Sequence, residues 1–127
     1  MGNGESFKRP HERLDVWRDS MTLVEAVYRV SSLFPDSERF GLTSQARRCA
    51  ISVPSNIAEG AARRSTADYL RFLSIARGSL SELDTQIQIA TRLGYCEASP
   101  AFQQLVDAVF ARITALMNAL EKGGNTR

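Results

Sequence analysis

The sequence predicts an all-α protein, an antiparallel up-down four-helix bundle, on three observations. Four segments repeat apolar residues at helical spacing, none sustains the two-residue alternation of a half-buried strand, and short turn-rich stretches separate the four. At 127 residues the chain fits one domain, with room for a hydrophobic core that needs neither disulfides nor a metal. Residues 1–13 read as a flexible N-terminal tail, 14–122 as the bundle and 123–127 as a flexible C-terminus.

The first helix is expected over about residues 15–34. Trp17, Met21, Val24 and Tyr28 recur at i, i+4, i+7 and i+11, and Val16, Leu23, Val27, Val30 and Phe34 widen that line. The apolar arc exceeds half the circumference, more than one core-facing stripe needs. Pro35 and Gly41 bracket the loop that follows.

The second helix is expected over about residues 42–62 and looks buried from two directions. Leu42, Ala46, Cys49, Ala50, Val53, Ile57 and Ala61 gather on one side, and Ile51, Pro54, Ala58 and Ala62 form a second flank. Between them runs a narrow polar stripe of Arg48, Ser52, Ser55, Asn56, Glu59 and Arg63. Pro54 removes the amide that would bond the carbonyl of Ala50, a loss of about 3 kcal/mol in a helix interior unless the helix bends or other donors compensate. Ser52, Ser55 and Asn56 lie within a turn and are expected to satisfy the freed groups. Gly60 costs up to about 1 kcal/mol relative to alanine but lets another helix press close. Glu59 is expected to pair with Arg63 or with an arginine of another helix or subunit, and Asn56 to fix register.

The third helix starts at Ser65, an N-cap with Asp68 three residues on. Tyr69, Leu73, Ala76, Leu80, Leu83, Ile87 and Ala90 alternate steps of four and three, a coiled-coil-like seam running to Leu93, with Gly94 suited to terminate it. The fourth starts at Ser99-Pro100 and runs to about Lys122, with Phe102, Val106, Val109, Ile113, Leu116 and Leu120 as its core line.

Composition excludes more than it selects. No apolar run approaches the ~20 residues of a membrane span, and residues 1–10 lack the apolar stretch of a secretory signal. Cys49 and Cys96 have no metal-site spacing, His11 is the sole histidine, and free thiols in a reducing cytoplasm are the expectation. There is no Glu-x-x-His, no phosphate-cradling glycine motif and no nucleophile with a base beside it, so neither catalytic nor metal-binding residues, cofactor nor small-molecule substrate is expected. Net charge is +2, but residues 40–81 carry six basic against two acidic side chains, all six of them arginine. Arg47, Arg48, Arg63, Arg64, Arg71 and Arg77 are therefore candidates for contact with RNA or DNA, set against the alternative of an ordinary solvated helix surface.

"LDVW" at 14–17, "FGLTSQARRCAISVPSNIAEGAAR" at 40–63 and "YLRFLSIARGSLSELDTQI" at 69–87 resemble the 23S rRNA intervening-sequence proteins, a family related to the accessory proteins of diversity-generating retroelements. The resemblance runs collinearly over about residues 14–120. The family's Gln-hydrophobic-Arg-Arg-Ala-Ala run falls on Gln45 to Ala50, where Ala46 and Cys49 depart from it. Its Ser-hydrophobic-Pro-x-Asn-Ile-Ala-Glu-Gly run falls on Ser52 to Gly60, and its Ala-x-Gly-Ser-x-x-Glu-Leu pattern on Ala76, Gly78, Ser79, Glu82 and Leu83. The resemblance implies a homopentameric ring and marks Pro54, Ser55, Asn56, Glu59, Gly60, Gly78 and Glu82 as packing or interface candidates. It implies no defined activity: the expected function is that of a non-enzymatic self-associating bundle that binds nucleic acid through a basic oligomer surface, the alternative a purely protein-protein scaffold or accessory subunit, for example to a reverse transcriptase.

Overall fold

The computed structural model describes residues 9–125. Four α-helices form, and the described residues contain no strand: α1 (Asp15–Ser31), α2 (Leu42–Ala61), α3 (Thr66–Arg92) and α4 (Pro100–Asn125), with single 3-10 turns at Pro10–Arg13 and Asp36–Glu38. Each helix packs on the next and α4 returns to α1, while the diagonal pairs stand apart, so the four make a square bundle. Cross-helix contacts fix the directions. Ser52 meets Ser79 while Gly60 meets Tyr69 and Phe72, so α2 and α3 run antiparallel. Arg47 near the start of α2 reaches Tyr28 and Ser31 at the end of α1. Arg112, midway along α4, pairs with Asp15 and Asp19 at the start of α1, while Pro100 and Phe102 at the start of α4 lie beside Val30 near the end of α1.

Local chemistry explains the boundaries. Ser65 Oγ accepts the Asp68 amide at 3.1 Å to open α3, and Ser99 Oγ accepts the Phe102 amide at 3.2 Å to open α4. Gly94 closes α3 in the left-handed region at φ +79°, a conformation that suits a residue with no Cβ. The α3 seam is as expected from Leu73 to Ala90, with Tyr69 half-buried at its start. On α4 the core is Val106, Val109 and Ile113, with Phe102, Leu116 and Leu120 half-buried.

α1 turns only part of its wide apolar arc inward. Val16, Ser20, Leu23, Val27 and Ser31 are buried, whereas Met21 and Tyr28 of the expected line are 43% and 42% exposed. Two serines can occupy the core because each hydroxyl bonds a carbonyl three residues back, Ser20 to Trp17 at 2.7 Å and Ser31 to Tyr28 at 3.3 Å. A hydroxyl satisfied within its own helix can be buried at little cost, which hydropathy spacing alone does not register. The second flank assigned to α2 is likewise mixed, Pro54 being buried and Ile51 exposed.

The ends also depart from the expected limits. Pro10–Arg13 forms a 3-10 turn against α1 and α2, and the His11 ring meets Trp17 edge-on at 4.9 Å between centroids. α4 continues to Asn125. Residues 1–8 and 126–127 of the expected flexible ends lie outside the described residues.

Candidate functional site

Most of the residues singled out in the sequence fall on one seam, between α2 and α3. Pro54 is buried, yet α2 runs unbroken through it. Contrary to expectation, the nearby polar side chains do not bond the carbonyl of Ala50 but tie their own turn and the next helix together. Asn56 Nδ2 donates to both the carbonyl and the hydroxyl of Ser52 at 2.8 Å, and Ser52 Oγ lies 2.8 Å from Ser79 Oγ on α3. Asn56 is thus joined to α3 only through Ser52. Ser55 points to solvent.

One helical turn beyond Asn56, Gly60 is buried where α3 begins. A Cβ there would lie 3.0 Å from Phe72 Cβ, 3.0 Å from Tyr69 Cδ1 and 3.2 Å from the Tyr69 carbonyl oxygen. Glu59 is exposed rather than held between buried flanks, and pairs with Arg63 of its own chain at 2.7 Å. Half-exposed on both sides, such an i, i+4 pair contributes only about 0.3–0.5 kcal/mol.

Toward the other end of the seam Cys49 faces Gln86 and Glu82. Burial is the main cause that pushes the Cys49 thiol above its ordinary range, so at neutral pH it is held as a thiol, a poor nucleophile. Both cysteines are free. Gly78 is exposed and a Cβ on it would meet nothing within 4 Å, so no packing inside the chain requires glycine there. With Ile75, Glu82 and Ile89 it lies along one exposed stripe of α3.

The six candidate arginines do not form one patch. Arg47 and Arg48 lie near the start of α2, while Arg63 and Arg64 lie just past its end, roughly 24 Å away at 1.5 Å per residue. Arg63 and Arg71 both stack on Phe72, at 4.8 and 4.4 Å from its centroid, and with Arg64 make the densest basic corner. Arg47 stacks on Tyr28 at 4.5 Å and donates to Ser31 Oγ at 2.8 Å, and Arg77 stacks on Phe110 at 4.5 Å. Only Arg48 and Arg64 have neither a carboxylate nor a ring partner among the described residues.

A polar clamp at the α1–α2 loop went unread in the sequence. Glu38 Oε1 accepts the Leu42 amide at 3.0 Å, capping α2 where Gly41 offers no side chain, and Glu38 Oε2 accepts the Tyr95 hydroxyl at 2.9 Å across the bundle end. Gly41 is what makes room: a Cβ there would stand 2.7 Å from Glu38 Oε1. Glu-x-x-Gly before a helix was the available signal, but nothing in spacing pointed to Tyr95, 57 residues on.

The Leu42 amide, and then the Tyr95 hydroxyl, hold the Glu38 carboxyl below the ordinary carboxylate range. A lowered folded-state pKa means that the clamp stabilises fully above the unfolded value, ordinarily near 4.5, and that this contribution is lost as pH falls through the folded value. The Glu38 bond raises Tyr95, so its share is kept below pH 10.0 and lost as pH rises through the folded value. Glu38→Gln is therefore expected to lower the urea midpoint at pH 7, with the gap to wild type narrowing below about pH 4.5. A gap of equal size at both pH values would show that the carboxylate charge does not hold the clamp.

Among the described residues no group of three or more His, Cys, Asp or Glu side chains is placed to hold a metal ion. No helix of the described residues is long and apolar enough to cross a membrane. The pattern of a family described as 23S rRNA-intervening sequence protein matches residues 12–118. Among curated proteins none matches the chain.

Proposed function

Because this chain belongs to the 23S rRNA-intervening sequence protein family, we propose that it acts without catalysis, as a self-associating helical module in the cytoplasm whose cyclic homo-oligomer, a pentamer by resemblance, displays arginines to nucleic acid. The observation that carries self-association is that large apolar side chains are left exposed on two different faces. Met21 and Tyr28 of α1, with Ile51 of α2 one turn on from the Arg47 that stacks on Tyr28, mark one face. Ile75 and Ile89, with Gly78 between them, mark the other on α3. A closed ring is built from a head-to-tail contact and so needs two unlike faces on each copy. An exposed mid-helix glycine, disfavoured by up to about 1 kcal/mol and unneeded within the chain, fits close approach by a second copy. Sedimentation of the full chain at micromolar concentration tests this, and a stable monomer would sink it.

Nucleic-acid contact rests on the corner of Arg63, Arg64 and Arg71 around Phe72, repeated in every copy. Binding of structured RNA should fall steeply with salt, and Arg64→Ala with Arg71→Ala should reduce the slope of log K against log salt by about one unit per lost phosphate contact. A second reading, a protein-protein scaffold or accessory subunit, is favoured by one observation: Arg47, Arg63, Arg71 and Arg77 are already committed to aromatic rings. No retention of RNA or DNA at low salt would decide for it.

A further inference from the structure

Where α1 and α4 meet near the end of α3, a groove of about 810 Å³ opens in the bundle surface. Val30, Ile87 and Leu105 line it, and Arg29, Arg92 and Glu97 stand among its lining residues. None of these three charged side chains has an ion-pair partner among the described residues. The volume falls within the range of sites that enclose a bound group, well beyond a packing defect. The same end of the bundle carries the α1–α2 loop, because α1 finishes, α2 begins, α3 finishes and α4 begins there. On that loop Phe40 is 86% exposed, with the Arg39 guanidinium 4.8 Å from its centroid, and Asp36 is exposed a few residues before it.

We infer that the groove is a socket for the α1–α2 loop of a neighbouring copy, with Phe40 as the inserted side chain. The charges are complementary: the loop offers Asp36 and Arg39, the groove offers Arg29 and Arg92 for the first and Glu97 for the second. The levels agree as well. Loop and groove lie at the same end of the bundle, so copies set side by side can bring the loop of one to the groove of the next without an axial offset. The contact uses unlike surfaces on the two partners, as head-to-tail closure demands, and it makes the groove, rather than the stripe of Ile75 and Ile89, the receiving face of the ring. A solvent-exposed aromatic and an apolar socket without an occupant in its own chain are each unfavourable alone, and joining them removes both from water.

The inference rests on the self-association reading, and three full-length variants separate the two. Phe40→Ala removes the inserted ring and keeps the socket; Ala101→Arg places a charged chain at an exposed lining position and keeps the ring. Each alone should weaken assembly by about thirtyfold in sedimentation, the size of an aromatic hot spot, with helicity unchanged. Mixed in equal amounts they should form a 1:1 complex, since one intact ring then meets one intact socket. A photoreactive benzoylphenylalanine in place of Phe40 should crosslink to groove-lining residues within 22–33 or 87–105 of another copy. A monomeric wild type overturns the self-association reading and this inference with it. Wild-type assembly that survives both substitutions, a crosslink mapping elsewhere, or native mass spectra showing a small amphiphile carried by the wild type and lost in Ala101→Arg overturns this inference alone.

Discussion

Gly60→Leu is expected to destabilise the fold by about 3 kcal/mol, at the upper end of what overpacking a well-filled site usually costs. The first atom of any side chain there would already stand 3.0 Å from Phe72 Cβ and 3.2 Å from the Tyr69 carbonyl. One of these is main chain and the other is fixed to it, so neither can swing aside as a side-chain tip would. Leucine adds three further carbons in the same direction, and the start of α3 must move away from α2 to admit them. That movement also strains the Ser52–Ser79 contact two turns along the seam. Gly60→Ala separates the causes: alanine gains up to about 1 kcal/mol of helix propensity and loses a comparable amount to crowding, leaving a net change within about 1 kcal/mol. Urea unfolding with an unchanged slope is the measurement, and a melting temperature lower by roughly 10 °C would accompany the leucine variant. A leucine variant within about 0.5 kcal/mol of wild type would show that α3 does not press on α2 at this point.

The residues that were legible in sequence share a physical cause. Capping by Ser65 and Ser99, termination at Gly94 and the α3 seam from Leu73 to Ala90 depend on neighbours within a turn or two, so spacing carries them. The close approach at Gly60 was expected from a mid-helix glycine among small residues, although Gly78 shows that such a glycine need not mark a contact within the chain. The partners of Gly60 were not, since which helix arrives there is decided by topology. The Glu38–Tyr95 clamp and the groove under α1 and α4 were invisible for the same reason: each is made by segments far apart in sequence. The arginines give the converse case. Their clustering in residues 40–81 is real in sequence, but a 20-residue helix carries Arg47 and Arg48 to one end of the bundle and Arg63 and Arg64 to the other. Charge counted along a chain is not charge gathered on a surface.

The divided apolar arc of α1 yields the second large effect. An apolar arc wider than half a turn has two edges, and periodicity cannot say which edge faces the core and which is left over. The structure assigns the core to Leu23, fully buried, and leaves Met21 43% exposed, although the two lie only two residues apart. Leu23→Ala should therefore cost about 2–5 kcal/mol, through lost transfer energy and the cavity left among rigid neighbours. Met21→Ala should cost less than about 1 kcal/mol in the dissociated protein, because much of its surface is already in water there. The order reverses in the readout that matters for function. At concentrations where the chain self-associates, Met21→Ala should weaken assembly through the α1–α2 face, while Leu23→Ala should alter assembly only as far as it unfolds the protomer. Unfolding at nanomolar protein and sedimentation at micromolar protein distinguish the two. If Met21→Ala proved the more damaging to the isolated protomer, the inward face of α1 would be Trp17, Met21, Val24 and Tyr28 after all, and the apolar surface offered to a second copy would have to be sought elsewhere.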